Sequence, residues 1–195
     1  MFLTSETLGA VSVALFVVAY APYFYSIYKQ ETKPHPYSWS AWGLLLAVTF
    51  LIQISEGAGP GAWGTGIVAL LQLSVAAIGW IRRENVIITR SDTVSFVAAL
   101  ISLVLWLFAN SPLLAILLIT AVDILGYWPT LHKTYNEPYS DNLLAYSIST
   151  VALLCSILAI ETFNAITATE PFAFLFMNIL FVLAIGWRRH ARKRL

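Results

Sequence analysis

Residues 112–131 read PLLAILLITAVDILGYWPTL, a segment with one charged residue, Asp123. A helix that crosses the roughly 30 Å hydrocarbon core of a bilayer needs about 20 mostly apolar residues, so this segment is long enough to span a membrane. The whole chain shares this character, because 59% of its 195 residues are hydrophobic and only 11% are charged. Soluble proteins carry about 25% charged residues. The sequence therefore predicts an all-α integral membrane protein and disfavours a soluble domain, a disordered chain or a nucleic-acid-binding protein.

Seven segments of the chain have the length and hydropathy of a membrane span. The connectors between them hold the charged residues and the helix breakers. The predicted spans are residues 7–28, 37–54, 62–81, 93–109, 112–131, 143–160 and 171–187. Before the fifth span, Ser111 followed by Pro112 predicts an N-cap with proline at the first helical position, so helices four and five should form a tight hairpin.

The basic residues all fall on one side of this seven-span arrangement. Alternate connectors and the C-terminus hold all 11 Lys and Arg residues, whereas the opposite side carries glutamates such as Glu6 and Glu170. The positive-inside rule places the basic side in the cytoplasm and the N-terminus outside. A plasma (inner) membrane is the expected location. The first span lacks the basic N-region of a cleaved signal peptide, and the basic run 188–194 is expected to contact anionic lipid head groups.

Short blocks recur in order along the chain and predict an internal duplication. The corresponding blocks are residues 20–22 (YAP) and 127–129 (YWP), residues 34–42 and 138–146, and residues 79–80 (GW) and 186–187 (GW). The offset is 107 residues for the first and third pairs and 104 for the second. We therefore predict two three-helix repeats in the same orientation, joined by a linker helix (3+1+3). Their boundaries are residues 1–88, 89–110 for the linker helix, and 111–195 with the basic tail.

This 3+1+3 plan, with its Tyr-x-Pro segments at 20–22 and 127–129, resembles the PQ-loop family. The family includes the SWEET sugar transporters, the lysosomal cystine and cationic amino acid exporters and, more distantly, the KDEL receptors. The resemblance covers essentially the whole chain. Tyr23 and Thr130 stand where the family's defining Gln follows the proline, and helices two and six lack the prolines found in SWEETs, which indicates a divergent branch.

The resemblance implies a membrane carrier that moves a small polar solute by alternating access between the two repeats. Sugars, amino acids and vitamin-like molecules all remain candidate solutes. The alternative is a ligand-binding or trafficking receptor of the KDEL-receptor type, without transport activity. Solute flux across a membrane separates the two, because a receptor binds its ligand without moving it.

Asp123 is the only ionisable residue within the apolar part of a predicted span. Ionisable residues inside membrane helices are functional candidates by default. Asp123 lies seven residues before Thr130, a spacing at which the cystine-exporter branch has an Asp implicated in proton coupling. The resemblance thus implies that Asp123 couples transport to protons. The alternative is a structural carboxyl group that is hydrogen-bonded to a neighbouring helix.

Four further residues are candidates for contact with the solute. Asn178 interrupts an apolar run in helix seven and can offer donors and an acceptor, and SWEET-like proteins have a substrate-binding Asn on this third helix of the repeat. Gln72 lies next to the equivalent position of the first repeat. Trp42 and Tyr146 occupy equivalent positions early in helices two and six. The alternatives are an interhelical hydrogen bond for Asn178 and anchoring at the membrane interface for the two aromatic residues.

Pro22 and Pro129 are predicted to act as hinges, because proline within a helix removes a backbone hydrogen bond and kinks the chain. Static kinks are the alternative. The sequence has no phosphate-binding loop, nucleophile–base arrangement or cluster of metal ligands, and its single cysteine, Cys155, excludes an internal disulfide. We therefore expect no enzyme activity, no cofactor and no metal. The expected partners are the solute and membrane lipids, with no nucleic acid, and association into a homo-oligomer stays open.

Overall fold

The computed structural model describes residues 4–82, 90–108 and 111–192, and this part of the chain is helical without any strand. It holds seven α-helices and one 3-10 turn. In chain order these are α1 (Ser5–Tyr28), α2 (Pro36–Ser55), the 3-10 turn (Gly59–Ala62), α3 (Trp63–Ile81), α4 (Arg90–Leu107), α5 (Pro112–Asn136), α6 (Leu143–Leu158) and α7 (Ala165–Arg192).

Five of these elements are long and apolar enough to cross a membrane. They are α1, α2, the 3-10 turn with α3, α5 and α7, whereas α6 is apolar but shorter. By length and composition the chain is therefore an all-α, multi-pass membrane protein. The count of seven spans and the orientation of the termini stay predictions. The predicted boundaries of the linker helix, at residues 88–89 and 110, fall outside the described residues.

Local sequence explains where several helices begin. Thr4 caps α1 by accepting a hydrogen bond from the backbone N–H of Thr7, and Asn142 caps α6 in the same way. His35 caps α2, where Pro36 occupies the first turn. These are residue types and positions that stabilise helix N-termini. The predicted start of α5 at Pro112 is confirmed, and α4 packs against α5 as a hairpin.

The same packing order occurs among the first three and the last three helices. In the first group α3 packs on both α1 and α2, and in the second α7 packs on both α5 and α6. The two groups meet where α1 packs on α6 and α2 packs on α5, and α4 lies against α2 and α5. Contacts between the groups thus involve equivalent helices of the predicted repeats.

Two apolar clusters form the core, and many large apolar side chains face outward. One cluster joins α1, α2, α3, α6 and α7, and the other lies between α2 and α5. The first contains Phe16, Leu46, Val68, Ala69, Ala152, Leu153 and Leu175, and the second contains Leu45, Val48, Ile52, Ala115, Ile116 and Ile119. Outward-facing residues such as Leu125 and Leu183 are more than 60% exposed, which suits a surface that contacts lipid tails.

One end of the bundle is closed by close contacts between the two groups of helices. We call it the sealed end; it comprises the α2–α3 connection (residues 56–62), the α6–α7 connection (residues 159–164) and the adjacent helix ends. The backbone N–H of Thr162 donates to the carbonyl of Gly57 at 3.0 Å, and Gly57 has a φ of 80°, which favours glycine. Ser12 and Ser156 share a buried hydrogen bond of 2.6 Å. A Cβ atom at Gly61 would lie only 2.7 Å from the Cα of Ile160.

The predicted start of the seventh span at residue 171 is wrong. α7 begins at Ala165, because the side chain of Asn164 accepts hydrogen bonds from the backbone N–H groups of Ile166 and Thr167 and caps the helix there. Pro171 consequently lies inside α7. Glu170, which the sequence analysis assigned to a connector outside the membrane, lies within the helix.

Candidate functional site

Two similar hydrogen bonds join the first and third helices of the two groups. Gln72 Nε2 donates to Tyr20 Oη at 3.1 Å, between α3 and α1. Tyr127 Oη donates to Asn178 Oδ1 at 3.1 Å, between α5 and α7. Tyr20 and Tyr127 are the first residues of the two recurring Tyr-x-Pro blocks. A tyrosine thus bonds to an amide in both groups, although Gln72 is offset by one residue from the position equivalent to Asn178 and the donor is the amide in one contact and the tyrosine in the other. We call these two contacts the tyrosine–amide pairs.

Both amides keep hydrogen-bonding capacity beyond these bonds. Gln72 Oε1 is buried and has no partner in the described structure. Asn178 is 5% exposed, and its hydrogen bond to Tyr127 uses only the amide oxygen. The interhelical bond considered as the alternative for Asn178 is thus present, yet the amide nitrogen stays available to a ligand.

Aromatic rings surround the second pair. Tyr146 stacks on Phe181 with ring centroids 4.1 Å apart, and Tyr127 meets Tyr146 edge-on at 6.3 Å. Helix α6, which carries Tyr146, packs on α1, which carries Tyr20.

Trp42 is placed in an equivalent way on α2. Its indole nitrogen would lie 3.7 Å from a Cβ atom at Gly126, the residue before Tyr127 on α5. Its ring also packs edge-on against Trp39 at 5.7 Å. Trp42 and Tyr146 thus each lie against a neighbouring helix. A solute site lined by all four predicted residues stays a prediction, and so does interface anchoring by the two aromatic residues.

Asp123 is buried in α5, with 9% of its surface exposed. Its Oδ2 atom has no hydrogen-bond partner in the described structure. Asp123 borders a narrow crevice between α5 and α7, whose other lining residues are Ile124, Tyr127, Ala173, Phe174 and Met177. Tyr127, which lines the same crevice, donates its hydroxyl hydrogen to Asn178. Proton coupling and a structural role for Asp123 both stay predictions.

Glu170 and Gln53 form a polar contact that the sequence analysis missed. Glu170 is 4% exposed and Gln53 is 1% exposed, and Gln53 Nε2 donates to Glu170 Oε2 at 3.3 Å. Asp123 interacts electrostatically with Glu170. Glu170 is thus a second buried ionisable residue within a helix long and apolar enough to span a membrane, whereas the sequence analysis placed only Asp123 in such a position. An N-cap at Asn164 was the signal that could have extended helix seven over Glu170.

The predicted hinges show no interruption of their helices. α1 continues from Ser5 to Tyr28 through Pro22, which is exposed on the bundle surface. Pro129 lies within α5, and its side chain is outside the described part. The hinge roles of both residues stay predictions.

The first arginines of the basic C-terminal run bind the protein itself. Arg189 donates to the carbonyl oxygens of Pro138 and Asp141, at 2.6 and 2.7 Å. In the first group, Arg82 donates in a similar way to the carbonyl of Ile27 at 3.1 Å. These bonds hold the end of the third helix against the same repeat. Residues 193–195 lie outside the described ranges, and contact of the tail with lipid stays a prediction.

Among the described residues, no three His, Cys, Asp or Glu side chains are grouped so as to hold an ion. Comparison of the chain with protein-family models, curated proteins and solved structures gave no match. The functional interpretation therefore depends on the geometry of the helices and of the buried polar side chains.

Proposed function

We propose that the protein is a membrane carrier for a small polar solute, built from two three-helix units, α1–α3 and α5–α7, joined by α4. The observation that carries this proposal is the recurrence of the tyrosine–amide pair in both units, Tyr20 with Gln72 and Tyr127 with Asn178. The two contacts join corresponding helices, with the amides one position apart in the repeat alignment, and a polar contact of this kind in both repeats is what a shared site requires. Parallel repeats of this kind bind substrate near the bilayer midplane, where the repeats meet.

The depth of the two pairs supports a common site. Tyr20 and Tyr127 each follow the first residue of their helix by fifteen positions, which is about 22 Å at about 1.5 Å per residue. The units meet through α1 with α6 and α2 with α5, the helices that carry Tyr20, Tyr146, Trp42 and Tyr127. The solute would lie between these side chains.

The chemistry of the region favours an uncharged solute. Gln72 provides a free acceptor, Asn178 provides amide donors, and Tyr146 and Trp42 provide aromatic faces. None of the described side chains that bond to or stack on the two pairs is basic, and the ionisable residue that lines the crevice beside Tyr127 is the acid Asp123, so an anionic solute would lack a counter-charge. A neutral molecule that carries hydroxyl or amide groups, such as a sugar, fits this set best.

Alternating access is supported by the asymmetry between the two ends of the bundle. Each hydrogen bond seen between the units in the described structure lies in the half that contains the sealed end, including Ser12 with Ser156 and Gln53 with Glu170. Toward the other end, bonds such as Arg82 to Ile27 and Arg189 to Pro138 join helices of one unit. By the positive-inside rule the sealed end faces outward, so this conformation is closed to the outside. Coupling to protons through Asp123 remains part of the proposal, since that carboxyl group is buried beside a crevice without a hydrogen bond.

Uptake of solute by proteoliposomes tests the proposal. Purified protein is reconstituted and screened with radiolabelled sugars, amino acids and vitamins, and the wild type should accumulate at least one of them. Asn178→Leu should lower this uptake roughly tenfold or more, because a hydrogen bond to a ligand group that is lost from a buried site costs about 1–3 kcal/mol. The matched control is Ser74→Ala, an exposed polar residue on α3 that bonds only to its own helix.

One outcome would contradict the carrier, and another would contradict the position of its solute site. Binding of a solute without uptake would favour the receptor alternative. If Asn178→Leu takes up solute as well as the wild type does, the tyrosine–amide pairs are not part of the solute site.

A further inference from the structure

Glu170 is a buried acid to which the described structure gives no basic partner. Its helix, α7, packs against α2, α5 and α6. Helices α2 and α6 contain no Asp, Glu, Lys, Arg or His, and the charged residue that interacts with Glu170 from α5 is Asp123, which is also acidic. The one hydrogen bond that the described structure gives to the carboxyl group of Glu170 comes from Gln53 Nε2. This surrounding is unfavourable for a carboxylate, because a buried charge needs a partner of opposite sign or several hydrogen bonds.

Gln53 supplies an independent observation beside this acid. Its Nε2 atom is bonded to Glu170, but its Oε1 atom is buried and has no partner. A carboxylic acid and a primary amide can form two hydrogen bonds side by side: the amide N–H donates to the acid, and the acid O–H donates to the amide oxygen. A carboxylate can accept the first bond but cannot donate the second. An unpaired buried acceptor costs about 1–3 kcal/mol, and a proton on Glu170 pairs it.

We propose that Glu170 and Gln53 form a proton-binding site between the two three-helix units, in which the protonated Glu170 donates to Gln53 Oε1. This site is distinct from Asp123. Its two residues belong to different units, so the second hydrogen bond also holds the units together on the side of the sealed end. The ligand is the proton itself, and no covalent step is involved.

Release of the proton then acts on the contact between the units. The proton passes to water, the pair keeps a single hydrogen bond, and a carboxylate is left beside Asp123 and the unpaired Gln53 Oε1. Water must enter between α2 and α7 to solvate these groups, and its entry separates the units at that end. Proton binding therefore favours the sealed conformation, and proton release favours the open one. This consequence rests on the proposed function, whereas the proton site itself does not.

Infrared difference spectroscopy of the purified protein tests the site directly. Protonated carboxyl groups have a carbonyl stretch distinct from that of carboxylates, and it shifts in D2O. The pH-dependent carbonyl signal of the wild type should lose one component in Glu170→Gln. The matched control is Glu161→Gln, an exposed glutamate at the sealed end that also bridges the units, through Ser5; it removes a different carboxyl group and should keep the component that Glu170→Gln loses. An unchanged signal in Glu170→Gln would overturn the proposal.

Distances between spin labels test the effect on the sealed end. The labels are attached to Ser55→Cys and Phe163→Cys, two exposed positions on different units, in a Cys155→Ala background. The distance should increase as the pH is raised in the wild type. It should stay short at all pH values in Glu170→Gln, because two amides can form the same pair of hydrogen bonds without a proton.

Exchanging the side chains of Gln53 and Glu170 distinguishes loss of the proton site from destabilisation of the fold. Gln53→Glu combined with Glu170→Gln restores an acid–amide pair and should restore the pH response. A pH response in Glu170→Gln equal to that of the wild type would overturn the proposal. So would a shortening of the distance by Na⁺ at constant pH, which would indicate a site for a metal cation.

The outcomes separate this site from the proposed function. If solute flux is absent while the Glu170 carbonyl signal and the pH-dependent distance are both observed, the carrier is contradicted and the proton site stands. Solute flux without either signal would contradict the proton site and leave the carrier intact.

Discussion

At the scale of single residues, substitutions in the tyrosine–amide pairs have a clear expected effect on stability. Tyr127→Phe removes one hydroxyl and leaves the ring in place, so Asn178 Oδ1 loses its partner. The free energy of unfolding should fall by about 1–3 kcal/mol, the cost of an unpaired buried polar group. Tyr20→Phe should have a similar effect because it removes the equivalent bond to Gln72. Thermal unfolding in detergent measures both changes.

The control for these variants is Tyr25→Phe. Tyr25 is on the same helix as Tyr20, is 60% exposed, and makes no hydrogen bond through its hydroxyl in the described structure. Removal of its hydroxyl group should leave the unfolding temperature unchanged. A loss of stability in Tyr25→Phe as large as in Tyr127→Phe would show that the buried hydrogen bonds contribute nothing specific.

The role of a residue could be predicted only where a polar or ionisable side chain stands out in its local sequence. Asn178 and Asp123 stand out because each interrupts an apolar run, and both are buried polar residues in the structure. Gln53 lies two positions before the end of α2, where a polar residue ordinarily faces water. Its burial depends on Glu170 of another helix, and pairing between distant segments leaves no mark in a single sequence.

At the scale of elements, the glycines of the sealed end decide how closely the helices approach. Gly61→Ala places a Cβ atom 2.7 Å from Cα of Ile160 and 2.8 Å from its backbone nitrogen. Backbone atoms cannot rotate away as a side chain can, so the α2–α3 and α6–α7 connections must separate. Overpacking of this kind costs about 1–3 kcal/mol, and Gly61→Ala should lower the unfolding temperature accordingly.

Gly186→Ala provides the matched comparison. A Cβ atom at Gly186 in α7 meets nothing within 4 Å, and alanine favours a helix by about 1 kcal/mol over glycine. This variant should be as stable as the wild type or more stable. Equal unfolding temperatures for the wild type and Gly61→Ala would contradict the tight contact at the sealed end.

Hydropathy and capping residues predicted the helix boundaries more accurately than they predicted the contacts between helices. The predicted starts of the second, third, fifth and sixth spans agree with α2, α3, α5 and α6 to within one residue. The start of α7 was missed because Pro171 resembles a first-turn proline, whereas the Asn164 cap lies six residues earlier among small polar residues. A proline near a helix end is ambiguous when a good cap precedes it.

At the scale of the whole molecule, the account predicts two units that move relative to each other around a shared site. The duplication could be predicted from recurring blocks, but the contacts that join the units could not. Ser12 and Ser156, for instance, are ordinary small residues in their own helices, and their importance comes only from their buried contact of 2.6 Å across the α1–α6 interface. The same contact offers a way to stop the motion.

A disulfide between Ser12→Cys and Ser156→Cys, in a Cys155→Ala background, tests the central claim most directly. Oxidation should join α1 and α6 and hold the sealed end closed, since the two side chains are already in contact. We predict that oxidation abolishes solute flux in proteoliposomes, that a reductant restores it, and that Ser12→Cys alone responds to neither treatment. Undiminished flux through the fully cross-linked protein would contradict alternating access between the two units.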